Sequence, residues 1–282
     1  MSWALVLVAP PEELEILAVR LFEAGALGVE LQEPGMPLMP GTPPLPAGQG
    51  RALAHFAERV AAVDSAASLG AEPPVEVPEE DWTALWRAHH HTIKAGPRSW
   101  VRPPWEEAPG SGVSVVIEPG MAFGTGSHPT TALCLERCDE LLAEFPGGDV
   151  LDVGTGSGVI ALLAKKLGAG RVAATENDEV ALRAAREGAA LNGLDGIEWR
   201  LTGNPADVPG RFRIVIANIL LNTLEELAPA IAGKVAPGGR LVLSGLLAAQ
   251  GGEAERAYVT QGLRPAARKE REGWVRVELL RP

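Results

Sequence analysis

Two periods of hydrophobic residues alternate along the first third of the chain. Trp3 to Val8 is an almost unbroken apolar run, which predicts a strand. Pro11 then opens a helix, with Glu12 and Glu13 in a first turn whose dipole favours carboxylates. Leu14, Leu17, Ala18, Leu21 and Phe22 recur at helical spacing as far as Gly25, the expected C-cap. Val29 and Leu31 predict a second strand, and the Gly- and Pro-rich residues 34–50 a loop or degenerate hairpin. A second amphipathic helix is expected over residues 51–62 and a short strand at Val75-Glu76-Val77. The order βα-β-αβ predicts a small α+β domain of the ferredoxin-like kind over residues 1–80.

Residues 81–112 form an expected connector, punctuated by proline and carrying Trp82, Trp86, Trp100 and Trp105. Trp82 and Trp86 share a helical face and are expected to pack into an interdomain groove. Residues 113–282 then alternate between strand and helix. A buried strand over Asp149–Val153 leads through Gly154-Thr155-Gly156-Ser157-Gly158 into a helix from Val159 to Leu167. Strands at 171–175, 197–201, 213–217 and 239–244 are interleaved with helices at 179–191 and 223–233. After a helix at 252–261, Arg264–Lys269 and Trp274–Leu280 are two alternating segments joined by Glu270-Arg271-Glu272-Gly273, a hairpin signal. A dinucleotide-binding domain normally ends on another parallel strand. A parallel sheet ending in an antiparallel hairpin is the class I, Rossmann-like methyltransferase form of the α/β fold, and that is the expected fold here.

Composition narrows the setting. The 282 residues are 46% hydrophobic and 22% charged, as in ordinary folded domains. A net charge of -11 argues against direct nucleic-acid binding and would attract a basic protein. Cys134 and Cys138 fall on one helical face, which predicts core packing rather than a disulfide or a zinc site. His89-His90-His91 point in three directions on a helix, so no metal is expected. The N-terminus lacks a basic n-region, and no apolar run is long enough to span a membrane, so the expected location is the cytoplasm.

The glycine loop carries the chemistry. A chain that turns sharply after a strand and lets a ligand touch bare backbone needs glycine, and the following helix offers unpaired N–H groups. Three details favour S-adenosylmethionine over a dinucleotide. The spacing is G-x-G-x-G rather than G-x-G-x-x-G. Asp152, just before the loop, would repel a pyrophosphate but suits the cationic methionine end. Glu176 closes the second strand, where its carboxylate can accept both ribose hydroxyls. Asn218, just past the fourth strand, can orient an amine through its side-chain carbonyl. The Pro-Pro-Tyr that follows it in enzymes methylating planar amides or base amines is absent, which favours an aliphatic amine. A nicotinamide-dependent oxidoreductase fails on the terminal hairpin, and a non-catalytic cofactor-binding protein on the retained Asn218.

The stretch Glu118-Pro119-Gly120-Met121-Ala122-Phe123-Gly124-Thr125-Gly126-Ser127-His128-Pro129-Thr130-Thr131 resembles the signature of the PrmA family, which methylates protein eleven of the large ribosomal subunit. The similarity continues through Asp152–Gly158, Ala217-Asn218-Ile219-Leu220, Pro237-Gly238-Gly239 and Leu243-Ser244-Gly245-Leu246-Leu247. It also reaches Asp81-Trp82, Trp86, Gly96, Trp100 and Pro104-Trp105 in the connector and Leu21 to Glu30 upstream. The resemblance implies cofactor contacts at Thr131, Gly154, Glu176 and Asn218, with Gly156, Phe123 and Asp152 beside them. It implies a large-subunit ribosomal protein as substrate, a monomer, and amine methylation by in-line displacement. The density of Gly, Thr and His in the Gly124–His128 loop predicts a lid over the cofactor, with Phe123 stacking and Thr125 or His128 near the reacting centre. A purely structural alternative is a turn into a helix at 130–142, capped by Thr130 or Ser127. The chain departs from the family at Glu176, usually Asp, at His91-Thr92, commonly marked by proline, and in the 34–50 loop.

Overall fold

In the computed structural model, which describes residues 2–32, 45–46, 48–77, 91–118 and 126–282, the alanine-rich segment expected to begin the second helix is a strand. The chain divides into two units, residues 1–89 and 90–282. The first holds β1 (Ser2–Ala9), α1 (Leu14–Glu23), β2 (Gly28–Gln32), β3 (Gly50–Phe56), α2 (Arg59–Leu69) and β4 (Val75–Val77). Its antiparallel sheet has the order β2-β3-β1-β4, the ferredoxin-like topology. As an inner strand, β3 pairs with β1 from Trp3↔Phe56 to Ala9↔Gly50 and with β2 from Gly28↔His55 to Gln32↔Arg51. Pairing on both edges overrides the helix propensity of Arg51-Ala52-Leu53-Ala54 and moves the helix to 59–69. Ala52, Ala54 and Phe56 face the core with Leu5, Leu14, Leu21 and Ala62.

The second unit opens with a three-stranded sheet, β5 (Ile93–Gly96), β6 (Ser99–Arg102) and β7 (Val113–Val116), within and just after the expected connector. Trp100 lies on β6, its indole N–H donating to the Ser111 carbonyl at 3.0 Å; Trp82, Trp86, His89 and His90 lie outside the described residues. His91 and Thr92 are clasped by Glu106. The Thr92 N–H and hydroxyl donate to Oε2 at 2.6 and 2.5 Å, and His91 Nδ1 is 2.9 Å from Oε1. Those hydrogen bonds, the Thr92 hydroxyl first, hold the Glu106 carboxyl down at about 2.

The main sheet comprises β8 (Val150–Val153), β9 (Val172–Glu176), β10 (Ile197–Leu201), β11 (Phe212–Asn218), β12 (Val235–Leu247), β13 (Arg264–Arg271) and β14 (Trp274–Leu280). Its order is β10-β9-β8-β11-β12-β14-β13, parallel except that β14 runs against both neighbours. One face packs on α3 (Pro129–Glu144), α4 (Val159–Lys166) and α5 (Glu179–Leu191). The other packs on α6 (Leu221–Glu226), α7 (Ala228–Lys234) and α8 (Gly251–Val259). The single helix expected at 223–233 is thus two; Pro229, which has no N–H to continue a helix, sits in the first turn of the second. Cys134 and Cys138 are fully buried on α3 as free thiols. Among the described residues no helix is long and apolar enough to cross a membrane.

Candidate active site

Strand order reverses at β8: β9 and β10 lie to one side, β11 and β12 to the other. The turns leaving β8 and β11 therefore diverge and open a crevice at the carboxyl end of the sheet, the usual ligand position in this architecture. After β8 the chain passes through Gly154, Gly156 and Gly158 at φ +69°, +54° and +83°, a region that disfavours a Cβ. The N–H groups of Gly154 and Thr155 both donate to the Thr175 carbonyl, at 3.0 and 2.9 Å, tying the loop to β9.

Glu176 ends β9 and grips that loop. Its Oε2 accepts the Gly156 N–H at 2.8 Å, and Oε1 accepts those of Asn177 and Asp178 at 2.9 and 3.2 Å. Held this way, Oε2 keeps lone-pair capacity for a hydroxyl donor from the crevice, while Oε1 already accepts two N–H groups. Asp152, inside β8, is fully buried. Its Oδ2 accepts the Thr155 hydroxyl at 2.5 Å and the Ala161 N–H at 3.2 Å, whereas Oδ1 has no partner among the described residues. Burial pushes this carboxyl up to about 7; the Thr155 and Ala161 hydrogen bonds oppose the rise and the Glu176 charge adds to it.

Across the crevice, Ala217 pairs in register with Val153, which places Asn218 beside the start of the glycine loop. Asn218 Nδ2 donates to the Thr131 hydroxyl at 3.2 Å, and Oδ1 is a buried acceptor with no partner among the described residues. Thr131 lies in the first turn of α3, whose N-cap is His128 rather than Ser127 or Thr130. The Thr130 N–H donates to His128 Nδ1 at 3.3 Å, so the imidazole does what the shorter hydroxyls were expected to do. Partial burial lowers the His128 pKa, against the opposing charge of Glu272. The structure thus gathers Asp152, Gly154, Gly156, Glu176, Asn218 and Thr131 at one end of the sheet, with His128 opening the helix that carries Thr131. Phe123 and Thr125 lie outside the described residues.

Comparison with known proteins agrees with this geometry. The family model described as "Ribosomal protein L11 methyltransferase (PrmA)" matches residues 3–282. The chain belongs to this family. A ribosomal protein L11 methyltransferase of Myxococcus xanthus is 44% identical, over 99% of this chain and 98% of that one. Another, of Azotobacter vinelandii, is 40% identical over the whole of both chains. Among solved structures, a ribosomal protein L11 methylase from Lactobacillus delbrueckii subsp. bulgaricus superposes with a TM-score of 0.63 at 33% identity, covering 68% of this chain and 99% of that one.

For a methyltransferase of this family, the residues present fit S-adenosylmethionine. Asp152 offers a buried oxygen with no partner among the described residues, Glu176 a fixed carboxylate, and the glycines a backbone free of side chains. Two further residues were not singled out from the sequence. Ile219, directly after Asn218, is wedged between Gly154 and Gly245. A Cβ on Gly154 would run into its side chain, and one on Gly245 would lie 3.0 Å from its amide nitrogen. The signal was in the sequence: Ser244-Gly245 interrupts an apolar run, as a strand bulge does.

Proposed function

We propose that this enzyme transfers methyl groups from S-adenosylmethionine to amino groups of ribosomal protein L11, on lysine side chains, the N-terminal α-amine or both. The observation that carries this reading is the buried Asn218 Oδ1, an acceptor with no partner among the described residues, at the switch point of the sheet. Thr131 accepts from the other end of the same amide, which leaves the oxygen to take an N–H from an incoming amine. When bound, the cofactor supplies an activated methyl group on a sulfonium. Glu176 then accepts its ribose hydroxyls, Asp152 meets its ammonium, and Gly154 and Gly156 present backbone. Asn218 orients the amine, and His128 borders the reacting centre. A lysine amine, with a pKa of about 10.4 in water, must lose a proton before it attacks.

Charge distribution supports a division of labour. Residues 1–89 carry 13 acidic and 4 basic side chains, whereas the remainder carries 23 and 21. The first unit therefore holds nearly all the excess negative charge, which suits it to a basic protein and not to nucleic acid. In this reading residues 1–80 grip the substrate, residues 81–112 connect, and residues 113–282 perform the transfer, as a monomer in the cytoplasm.

The test is intact-mass spectrometry of purified ribosomal protein L11 incubated with the enzyme and S-adenosylmethionine. Stepwise methyl additions that disappear with Asn218→Ala are expected. No additions, with cofactor binding intact by calorimetry, would refute this substrate and point to a different amine.

A further inference from the structure

β14 runs antiparallel to β12 with Trp274 opposite Leu247, three residues beyond the Ser244 that pairs with Asn218. The β13–β14 turn therefore lies at the same end of the sheet as the glycine loop, Glu176 and Asn218. Arg271 pairs with Trp274, so the turn has two central residues, Glu272 and Gly273, at φ +51° and +79°. Such a turn favours Asn, Asp or Gly at both positions. Glu272 is the only non-glycine residue among those described with a positive φ. The turn is also pinned in place: the Ala248 N–H donates to the Gly273 carbonyl at 2.8 Å.

What surrounds Glu272 points to a ligand of positive charge. Trp274 meets the His128 ring edge-on, with centroids 4.8 Å apart and planes at 70°, so the turn abuts the N-cap of the helix that bears Thr131. Three basic residues that precede the turn are paired elsewhere. Lys269 and Arg271 reach Glu136 on α3 at 2.6 and 3.2 Å, and Arg268 reaches Glu255 at 2.9 Å. Glu272 itself is exposed and pairs with no Lys or Arg among the described residues.

We propose that Glu272 is a substrate-recognition residue, whose carboxylate receives the ammonium form of the substrate amine beside the His128–Trp274 pair. This rests on the amine-methylation reading above. A lysine side chain reaches the enzyme protonated, and a carboxylate at the rim draws it in by charge. A strained glutamate, where glycine would close the turn more easily, is then a side chain kept for its charge rather than for the turn.

The experiment compares wild type, Glu272→Gln and Glu272→Gly by initial-rate methylation of ribosomal protein L11, cofactor calorimetry and thermal melting. Both variants should raise KM for the protein about tenfold, as expected for one lost charge-assisted contact, with little change in kcat. The salt dependence of KM should flatten, cofactor affinity should hold, and the glycine variant's Tm should not fall. An unchanged KM in both variants overturns the assignment. So does a weakened cofactor affinity, or a lowered Tm in the glycine variant, since either marks a structural role. A wild type that adds no methyl groups overturns the amine reading itself, and this assignment with it; methylation by wild type with unaltered variants overturns only the role of Glu272.

Discussion

Gly245→Ala isolates the part of the site that positions Asn218 from the part that touches ligand. The β12–β14 register shifts between Leu243 and Leu246, leaving Ser244 and Gly245 in a bulge, with Gly245 at φ +83°. An added Cβ would stand 2.9 Å from the Ile219 carbonyl carbon and closer still to its oxygen, and backbone cannot swing aside as a side chain can. The left-handed conformation alone costs an L residue about 1–2 kcal/mol, which for a unit of this size lowers Tm by about 2–8 °C. Relieving the clash displaces the turn that begins at Asn218 by a sizeable fraction of an ångström. A misplacement of about 1 Å costs about a hundredfold in rate, so kcat should fall ten- to a hundredfold, or about 1.4–2.7 kcal/mol in the barrier. The assay is initial-rate methyl transfer, with calorimetric cofactor affinity and thermal melts on the same preparations. Gly233→Ala is the control: it sits in α7 with nothing within 4 Å of an added Cβ and should match or exceed wild-type stability. Folded Gly245→Ala enzyme with wild-type kcat would refute the reasoning, because Asn218 would then tolerate a moved neighbour.

Three other changes probe the remaining parts. The Asp152 carboxyl is raised in the folded protein from 3.8 to about 7, so the fold favours its protonated form. Its stabilising contribution is complete below about pH 4 and is lost as pH rises through about 7. Urea unfolding of the cofactor-free protein should therefore show stability falling between about pH 4 and pH 7, by on the order of a few kcal/mol, with a flatter profile in Asp152→Asn. Glu176→Ala should weaken cofactor binding strongly by calorimetry and loosen the Gly156 turn; an unchanged dissociation constant would remove Glu176 from the site. Deletion of residues 1–80 should spare cofactor binding yet abolish transfer to ribosomal protein L11, and retained transfer would refute the division of labour.

What could be read from the sequence follows from how local each constraint is. The glycine loop was legible because G-x-G-x-G between a strand and a helix states a backbone requirement within five residues, which the three positive φ values meet. Glu176 and Asn218 were legible by position, each closing a parallel strand at the ligand end of the sheet. β3 was not, because Ala-Leu-Ala suits a helix and only pairing with β1 and β2 makes it a strand. Nor were β5 and β6, four residues each. Ser99 and the Arg98 N–H and guanidinium all donate to the fully buried Asp139 carboxylate, about 40 residues away on α3. No local pattern announces that clip, although Gly96, where a Cβ would strike Asp139, is its trace.

The same distinction runs through the site. Residues that meet the cofactor or the amine are recognisable by type, because a carboxylate, an amide or a bare backbone is what the chemistry needs. Residues that place them are recognisable only by contact. Thr131 orients the Asn218 amide across 87 positions of sequence, and Gly245 seats Ile219 through nothing more than a missing methyl group. Preorganisation of this kind is built from packing and so tolerates no added atom, whereas a ligand-facing acid tolerates one. Glu176 illustrates the second case. Its side chain is long enough to bind the Gly156, Asn177 and Asp178 amides at once. Variation should therefore be better tolerated in the reach of the acid than at Gly154 or Gly245, where any side chain meets Ile219.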